Sequence, residues 1–282
     1  MEAEFPISGM ELALSSHALR HAALTCPVLE VPIAVTTMAG AIQQVNDWIS
    51  TATRAHLVTF VNAHMAVEAQ LKPSFRRSLR AMDLNCPDGA PIFWLARKQH
   101  GQSVAKIAGP EFMPLFCEQS VALGHRHFLY GGTEGTAEEA CAALRKRYPG
   151  IQIAGHYCPP FRPLTAPERE DVVNTINQSE ADVVWVCLGC PKQEQWMTDM
   201  RDHLQAKVVL AVGQAFDIVA GRTRRAPALL RHCGAEWAYR LAKEPRRLWK
   251  RYLVTNMLFI LFVLRDSLDQ RRDQAFQART SA

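Results

Sequence analysis

Residues 182–196 have the sequence DVVWVCLGCPKQEQW, in which a continuous apolar run is followed by a short turn and a polar segment. An apolar run rich in valine, without polar alternation, predicts a strand that is buried on both faces. The segment that follows, KQEQWMTDMRDHL (192–204), has the spacing of an amphipathic helix. This strand–turn–helix unit favours a parallel sheet covered by helices.

The same alternation extends in both directions from this unit. The sequence therefore predicts an α/β fold, a Rossmann-like and mostly parallel sheet with helices on both faces, whose ligands bind beyond the carboxyl ends of the strands. The further predicted strands are VPIAVTT (31–37), HLVTFV (56–61), HRHFLYGG (125–132), IQIAGHY (151–157) and KVVLAVG (207–213). The further predicted helices include AIQQVNDWIS (41–50), FMPLFCEQSVAL (112–123), AEEACAALRKRY (137–148) and PEREDVVNTINQ (167–178).

Length and composition restrict the class of protein. The chain has 282 residues, of which 48% are hydrophobic and 21% charged, which excludes a disordered protein and a disulfide-stapled mini-domain. Its eight cysteines lack framework spacing, and its N-terminus has acidic residues where a signal peptide has basic ones, so we expect a reduced, cytoplasmic protein. We predict a flexible lead-in over 1–25, a Rossmann-like catalytic domain over 26–221 and a helical appendage over 222–282, here called the arm.

The basic charge of the chain is concentrated in the arm. Residues 222–251 contain ten Lys or Arg and only two acidic residues, Glu236 and Glu244, although the whole chain has a net charge of only +5. Aromatic residues alternate with the basic ones, and the apolar run LVTNMLFILFVL (253–264) follows. That run is too short to span a bilayer but suits a helix that lies at a membrane surface. The alternatives are a solvated basic face with a core-packing tail and, less favoured because no motif accompanies the charge, nucleic-acid binding.

Two polar residues mark a candidate catalytic centre. Asn62 follows the predicted strand HLVTFV, and Asp88 lies in the turn NCPDGAP ahead of a helical pattern. An Asp at this place is commonly a helix cap. The alternative is a general base at a strand-end cleft, which takes a proton from a sugar hydroxyl as that hydroxyl attacks.

Glycines and charged residues at other predicted strand ends suit an anionic ligand. Lys106 and Gly109 lie in KIAGPE, and Gly131 and Gly132 lie in FLYGGTEGTAEEA, where backbone amides at a helix start could bind phosphate. A plain tight turn explains the second segment equally well, because neither nucleotide-binding motif is present and its helix start is acidic. Three further candidates follow the two most apolar strands: Lys192, Gly213 and Asp217. The Cys187-x-x-Cys190 spacing is a weaker signal, since no second ligand pair completes a zinc site.

Taken together, these segments resemble the WecG/TagA/CpsF family of bacterial glycosyltransferases, glycosyltransferase family 26. The resemblance covers roughly residues 30–265 and rests on Asn62, Asp88 and the blocks PDGAPIFW, KIAGPE, FLYGGTEGTAEEA, LGCPKQEQW, VGQAFDIVAGRTRRAP and GAEWAYRLAKEPRRLWKRY, which occur in the family's order. Two departures exist: Lys106 stands where the family often has Arg, and Thr59 precedes Asn62 by three positions rather than two.

The resemblance implies a function. Members of this family transfer a sugar from a UDP-linked donor to a polyprenyl-diphosphate-linked monosaccharide at the inner membrane face, with inversion and without a bound metal or other cofactor. It implies that Asp88 is the base, that Asn62 positions a sugar, that Gln193 is the active-site glutamine, and that Arg240, Arg247 and Arg251 bind the diphosphate and dock on the membrane. The expected partners are thus a UDP-sugar, a polyprenyl-diphosphate-linked sugar and the lipid surface of the inner membrane, with no nucleic acid.

Two other functions can be weighed from the sequence. A non-catalytic nucleotide-binding module at the membrane surface would share the sheet and the GGTEG turn. An NAD-dependent oxidoreductase is disfavoured, because the segment TTMAGAIQQ (36–44) in the first predicted unit lacks the GxGxxG pattern.

Overall fold

The computed structural model of the chain describes residues 24–280, and the side chains at 232, 247, 251 and 270–280 lie outside that description. The predicted lead-in therefore falls almost wholly outside the described residues. The first described element is a hairpin of two antiparallel strands, β1 (Thr25–Val28) and β2 (Val31–Ala34). Leu29 and Glu30 form its turn, and both have positive φ angles, as a two-residue hairpin turn requires.

The strand predicted over 31–37 is thus shorter than expected and belongs to a different sheet. Its prediction as part of the parallel sheet was wrong because the turn at Leu29 and Glu30 pairs it with β1 instead. Thr37 lies beyond the strand and caps the next helix, its hydroxyl accepting a hydrogen bond from Gly40 N at 3.1 Å.

The main sheet has six parallel strands in the order β4–β3–β8–β7–β5–β6, which confirms the predicted α/β fold. Its strands are β3 (His56–Val61), β4 (Leu84–Pro87), β5 (Arg126–Gly131), β6 (Gln152–Tyr157), β7 (Val183–Cys187) and β8 (Val208–Ala211). Strand β4 was not predicted. Its four residues, LNCP, include a polar Asn and end in Pro, and they become a strand by pairing with β3 at the sheet edge.

Helices cover both faces of this sheet, as predicted. The α-helices of the described residues are α1 (Met38–Thr51), α2 (Ala63–Leu71), α3 (Pro73–Arg80), α4 (Ala90–His100), α5 (Gly109–Leu123), α6 (Thr136–Arg147), α7 (Ala166–Gln178), α8 (Lys192–Met200), α9 (Ala215–Val219), α10 (Ala228–His232), α11 (Glu236–Lys243) and α12 (Pro245–Thr280). Helices α1, α5 and α6 form one core with alternate strand residues, and α7 and α8 form a second core with the others. Trp185 of β7, fully buried, packs on Phe112 and Phe116 in the first core.

The arm is helical, as predicted, and it folds back onto the main body. Its long helix α12 packs against α2, where Phe259 is buried in a third core with the hairpin and helices α2 to α4. Thr255 of α12 is also buried and lies 3.4 Å from His64 Nδ1. The rest of α12 exposes apolar residues to solvent: Leu253, Val254, Met257, Ile260, Leu261, Leu264 and Leu268.

Candidate active site

Parallel strands place all their carboxyl ends at one edge of the sheet, and the candidate residues lie along this edge. Their spatial order follows the strand order: Asp88 after β4, Asn62 after β3, Gly213 after β8, Lys192 and Gln193 after β7, and Gly131 and Gly132 at the end of β5. Adjacent strands are about 4.8 Å apart, so the ends of β4 and β7 are separated by roughly 14 Å along the edge. This is the crevice in which an open α/β sheet binds its ligands.

Asp88 and Asn62 are neighbours at the β4–β3 end of this crevice. The Asp88 amide donates to the carbonyl of Val61 at 2.9 Å, and a Cβ built on Gly89 would lie 3.5 Å from Cβ of Asn62. The N-cap of α4 is Gly89, with a φ of +78°, and no side chain makes a capping hydrogen bond to this helix. Asp88 is therefore not the ordinary helix cap that its sequence position suggested.

The carboxylate of Asp88 is held in an environment that opposes its ionisation. Burial raises its pKa to about 7, and the negative charge of Glu236 acts in the same direction. Arg240, the Gly89 amide and Lys106 oppose this rise. A carboxyl group with a pKa near neutrality suits general base chemistry at physiological pH.

Two of the charges around Asp88, Glu236 and Arg240, come from the arm. Because Glu236 was counted in the sequence only as one of two acids in a basic segment, its proximity to Asp88 was not predicted. The structural reason is that Gly234, two residues before Glu236, packs against α4, the helix that begins just after Asp88. Gly234 lies so close to Ala90 and Trp94 of α4 that a Cβ there would overlap Ala90.

Lys106 and Glu111 hold the start of the arm against the main body. The Lys106 ammonium donates to the carbonyl of Arg231 at 2.8 Å. Glu111, in the first turn of α5, accepts from Arg231 at 2.6 Å and lies 3.2 Å from Arg225. Lys106 therefore contacts the arm and also lies near Asp88. Arg240 makes a close hydrogen bond to the side chain of Gln214, the residue after Gly213. The side chains of Arg247 and Arg251 lie outside the described residues.

Asn62 has a structural bond of its own. Its Oδ1 accepts from the amide of Met65 at 3.2 Å and so caps α2. Since this bond fixes the side chain, the amide nitrogen of Asn62 is presented in a defined orientation, available as a donor to a hydroxyl.

Helix α8 carries Lys192 and Gln193 at its start. The Lys192 ammonium lies 4.8 Å from the ring centroid of Phe161, a fully exposed side chain in the loop after β6. Gln193 is buried and donates to Glu194, which also accepts from Thr59 of β3. Thr59 therefore faces Glu194. Phe161 and the Glu194 contact were not predicted, although Glu194 lies within the block PKQEQW.

The glycines at the β5 and β8 ends have different environments. The amide of Gly132 donates to the carbonyl of Cys187 at 2.7 Å, and a Cβ on Gly131 would overlap the same carbonyl. Gly109 similarly allows α5 to approach the end of β8, since a Cβ there would lie 3.1 Å from the carbonyl of Val212. Gly213, with a φ of +55°, faces open space.

Arg222 occupies the turn after Gly132. Its guanidinium pairs with Glu139 and donates to Thr133 and Thr136, so the acidic start of α6 is neutralised by a residue of the arm. Glu139 raises the pKa of the Arg222 guanidinium most, and the negative charge of Asp217 in α9 raises it further. Within residues 24–280, no group of three or more His, Cys, Asp or Glu side chains is arranged to hold a metal ion.

Comparison with known proteins assigns the chain to a family. The model of the glycosyl transferase WecG/TagA/CpsF family matches residues 26–273. The chain belongs to this family. The resemblance inferred from the motifs is confirmed, and a glycosyltransferase activity with it.

One curated relative of this WecG/TagA/CpsF protein is an N-acetylglucosaminyldiphosphoundecaprenol N-acetyl-beta-D-mannosaminyltransferase of Bacillus spizizenii. The two are 28% identical over 199 residues, which is 71% of this chain and 75% of the relative. Among the described residues, no helix combines the length and the hydrophobicity of a membrane-spanning segment.

The contact between Gly131 and Cys187 leads to a stability prediction for this glycosyltransferase. Gly131→Ala should lower the free energy of unfolding by at least about 2 kcal/mol, because the new Cβ overlaps a carbonyl and the φ of +106° disfavours a side chain. Gly124→Ala is the matched control, with a φ of +71° and only ordinary contacts, and should cost about 1 kcal/mol. Denaturant unfolding measures both, and equal losses would contradict a packing role for Gly131.

The environment of Asp88 leads to a prediction for the pH dependence of catalysis. If ionised Asp88 is required, log kcat/KM should rise with pH up to a midpoint near 7 and then level off. Glu236→Gln removes a negative charge that raises the pKa of Asp88, so the midpoint should move to lower pH.

Glu244→Gln is the control for that measurement, because it removes the same charge from the end of α11 without being among the groups that shift Asp88. Its midpoint should stay in place. A midpoint that is the same in Glu236→Gln as in the unmodified protein would show that Glu236 does not act on the titrating group.

Proposed function

We propose that this protein is an inverting, metal-independent hexosyltransferase that uses a UDP-sugar donor and a polyprenyl-diphosphate-linked monosaccharide acceptor in the synthesis of a cell-surface polysaccharide. The observation that carries the proposal is Asp88, a partly buried carboxyl group with a pKa near 7 at the ligand edge of the sheet. The name of the Bacillus relative supports the acceptor class, since that protein acts on an undecaprenyl-diphosphate-linked sugar.

In this proposal Asp88 takes the proton from the acceptor hydroxyl. The hydroxyl oxygen forms the new bond to the anomeric carbon of the donor, the bond from that carbon to the UDP oxygen breaks, and the electron pair leaves with UDP. Because attack and departure occur on opposite faces, the anomeric configuration inverts. Asn62, beside Asp88 and fixed by its bond to Met65, donates from its amide nitrogen to a sugar hydroxyl.

The strand order suggests how the donor lies in the crevice. With its sugar at Asp88 and Asn62, an elongated nucleotide sugar runs along the edge past Gly213 towards the ends of β7 and β5. The open space at Gly213 leaves room for the diphosphate, and Asp217 and Lys192 lie further along as nucleotide-binding residues. We assign Gly131, Gly132 and Gly109 to shaping this edge through their close backbone contacts.

Positive side chains take the role of a divalent ion in this mechanism. Departing UDP carries the negative charge of two phosphates, and preorganised cations stabilise such charge most strongly where water is excluded. Lys106 and Arg240 lie close enough to Asp88 to oppose the rise in its pKa, so we propose that they also stabilise the departing diphosphate. We propose Arg247 and Arg251 as further arm residues that bind the diphosphate or the membrane. The proposed mechanism needs no cofactor.

The arm is proposed to bind the cytoplasmic face of the inner membrane as a peripheral element. Helix α12 exposes a row of large apolar residues, and Trp237 and Trp249 are about half-exposed beside the basic residues. Such a surface inserts among lipid headgroups while Lys and Arg contact anionic lipids. The arm would then bring the catalytic domain, residues 26–221, to an acceptor that stays in the bilayer.

The first test asks for the reaction itself. Purified protein should form a lipid-linked disaccharide from a short-chain polyprenyl-diphosphate sugar and one of UDP-N-acetylmannosamine, its uronic acid form or UDP-glucose. Asp88→Asn should lower turnover by about 10²- to 10⁴-fold while UDP binding is retained, because it removes a general base and little else. Lack of product with every donor, together with retained UDP binding, would favour the non-catalytic nucleotide-binding module.

The second test concerns the arm. Replacing Leu261 and Leu264 by Gln should reduce sedimentation with anionic vesicles and slow transfer to long-chain lipid acceptors, because both are more than half-exposed on α12. Leu123→Gln is the control, since this residue is 54% exposed but belongs to α5 of the catalytic domain rather than to the arm. Unchanged sedimentation of the double variant would contradict the proposed membrane contact.

A further inference from the structure

Helix α8 begins with two adjacent polar residues that are buried. Gln193 is 5% exposed, and Glu194 is completely buried, as is Thr59 of β3 opposite it. Polar side chains at such depth are costly unless they are hydrogen-bonded. The hydrogen bonds of Gln193, Glu194 and Thr59 therefore indicate the role of this cluster.

One oxygen of Glu194 joins the cluster. Glu194 Oε1 accepts from the Thr59 hydroxyl at 3.0 Å and from Gln193 Nε2 at 2.8 Å. A carboxylate oxygen accepts hydrogen bonds, so the amide of Gln193 must present its NH₂ group to Glu194, and the reverse orientation would oppose two oxygens. The carboxylate thus decides which end of the Gln193 amide points away from it.

The end that points away is the carbonyl oxygen. Among the residues that the structure describes, no donor reaches Gln193 Oε1, although this atom is buried. A buried acceptor without a partner costs about 1–3 kcal/mol, so an atom kept in this state calls for an explanation other than stability. Gln193 follows the carboxyl end of β7, on the edge where the donor is proposed to lie.

We propose that Glu194 is a positioning residue, which fixes the amide of Gln193 so that its carbonyl oxygen accepts a hydrogen bond from an O–H or N–H group of a sugar substrate. This inference rests on the proposed function. Glu194 engages one of the two N–H groups of the Gln193 amide, whereas the carbonyl oxygen has no partner among the described residues.

The arrangement does not depend on the charge of Glu194. Burial raises the pKa of its carboxyl group. A protonated Glu194 keeps this arrangement when the proton is on Oε2, which is buried and makes no hydrogen bond with the described residues. The orientation of Gln193 is then the same in both protonation states, so loss of Glu194 should change turnover without moving the pH midpoint set by Asp88.

The test compares Glu194→Met with Glu194→Gln. Methionine has a similar volume but no acceptor for Gln193, so the amide loses its fixed orientation and turnover should fall about 10- to 100-fold. Glutamine keeps an oxygen that can accept from both Thr59 and Gln193, so Glu194→Gln should be roughly tenfold more active than Glu194→Met. Equal activity of the two variants would overturn the proposal.

A double-mutant cycle separates positioning from general destabilisation. In a Gln193→Ala background, Glu194→Met should cause little further loss of turnover, because the group that it orients is gone. If the two losses multiply, Glu194 acts independently of Gln193 and the proposal fails. The KM for the UDP-sugar and the KM for the lipid acceptor, measured separately in Gln193→Ala, identify which sugar supplies the donor group.

A readout without turnover keeps this inference distinct from the proposed function. The side-chain NH₂ protons of Gln193, assigned by their loss in Gln193→Ala, should exchange slowly with solvent in the unmodified protein and rapidly in Glu194→Met. Absence of transferase product in the unmodified protein would overturn the proposed function, whereas equal exchange rates in the two proteins would overturn the positioning role.

Discussion

The site depends on keeping one carboxyl group, that of Asp88, partly out of water. Asp88 lies between the end of β4 and the start of α4, and burial opposes ionisation unless positive charge lies near. The surroundings supply both signs, with Glu236 on one side and Arg240 and Lys106 on the other. The result is a group that is neither permanently charged nor permanently neutral at the pH of a cell.

This condition has a cost in stability whose sign follows from the pKa. Because the folded-state pKa of Asp88 is above its ordinary value, ionisation is harder in the folded chain than in the unfolded one. The cost is fully present above about pH 7, decreases as the pH falls, and is absent below the ordinary pKa of a carboxyl group. The three buried cores, which include Trp185, Phe112 and Phe259, offset this cost.

The site is positioned by bonds that are themselves structural. Asn62 caps a helix while facing the crevice, Lys106 holds the arm while lying near Asp88, and Glu194 ties Gln193 to Thr59 of a central strand. In Asn62 and Gln193, one end of the side-chain amide is therefore fixed and the other is available. The same principle extends to Glu111, which joins α5 to Arg225 and Arg231 and so places Glu236 and Arg240.

The sequence by itself determined the parallel sheet, its two helical layers, the basic arm and the family, because each of these leaves a local pattern such as the apolar run of β7 or the spacing of Arg and Trp residues. It did not determine strand β4, whose four residues become a strand only by pairing with β3, nor the separate hairpin of β1 and β2. Only the tertiary structure decided that Glu236 lies near Asp88 and that Glu194 bonds Thr59, 135 positions away. Burial and electrostatic coupling arise between segments distant in the chain, so no local pattern records them.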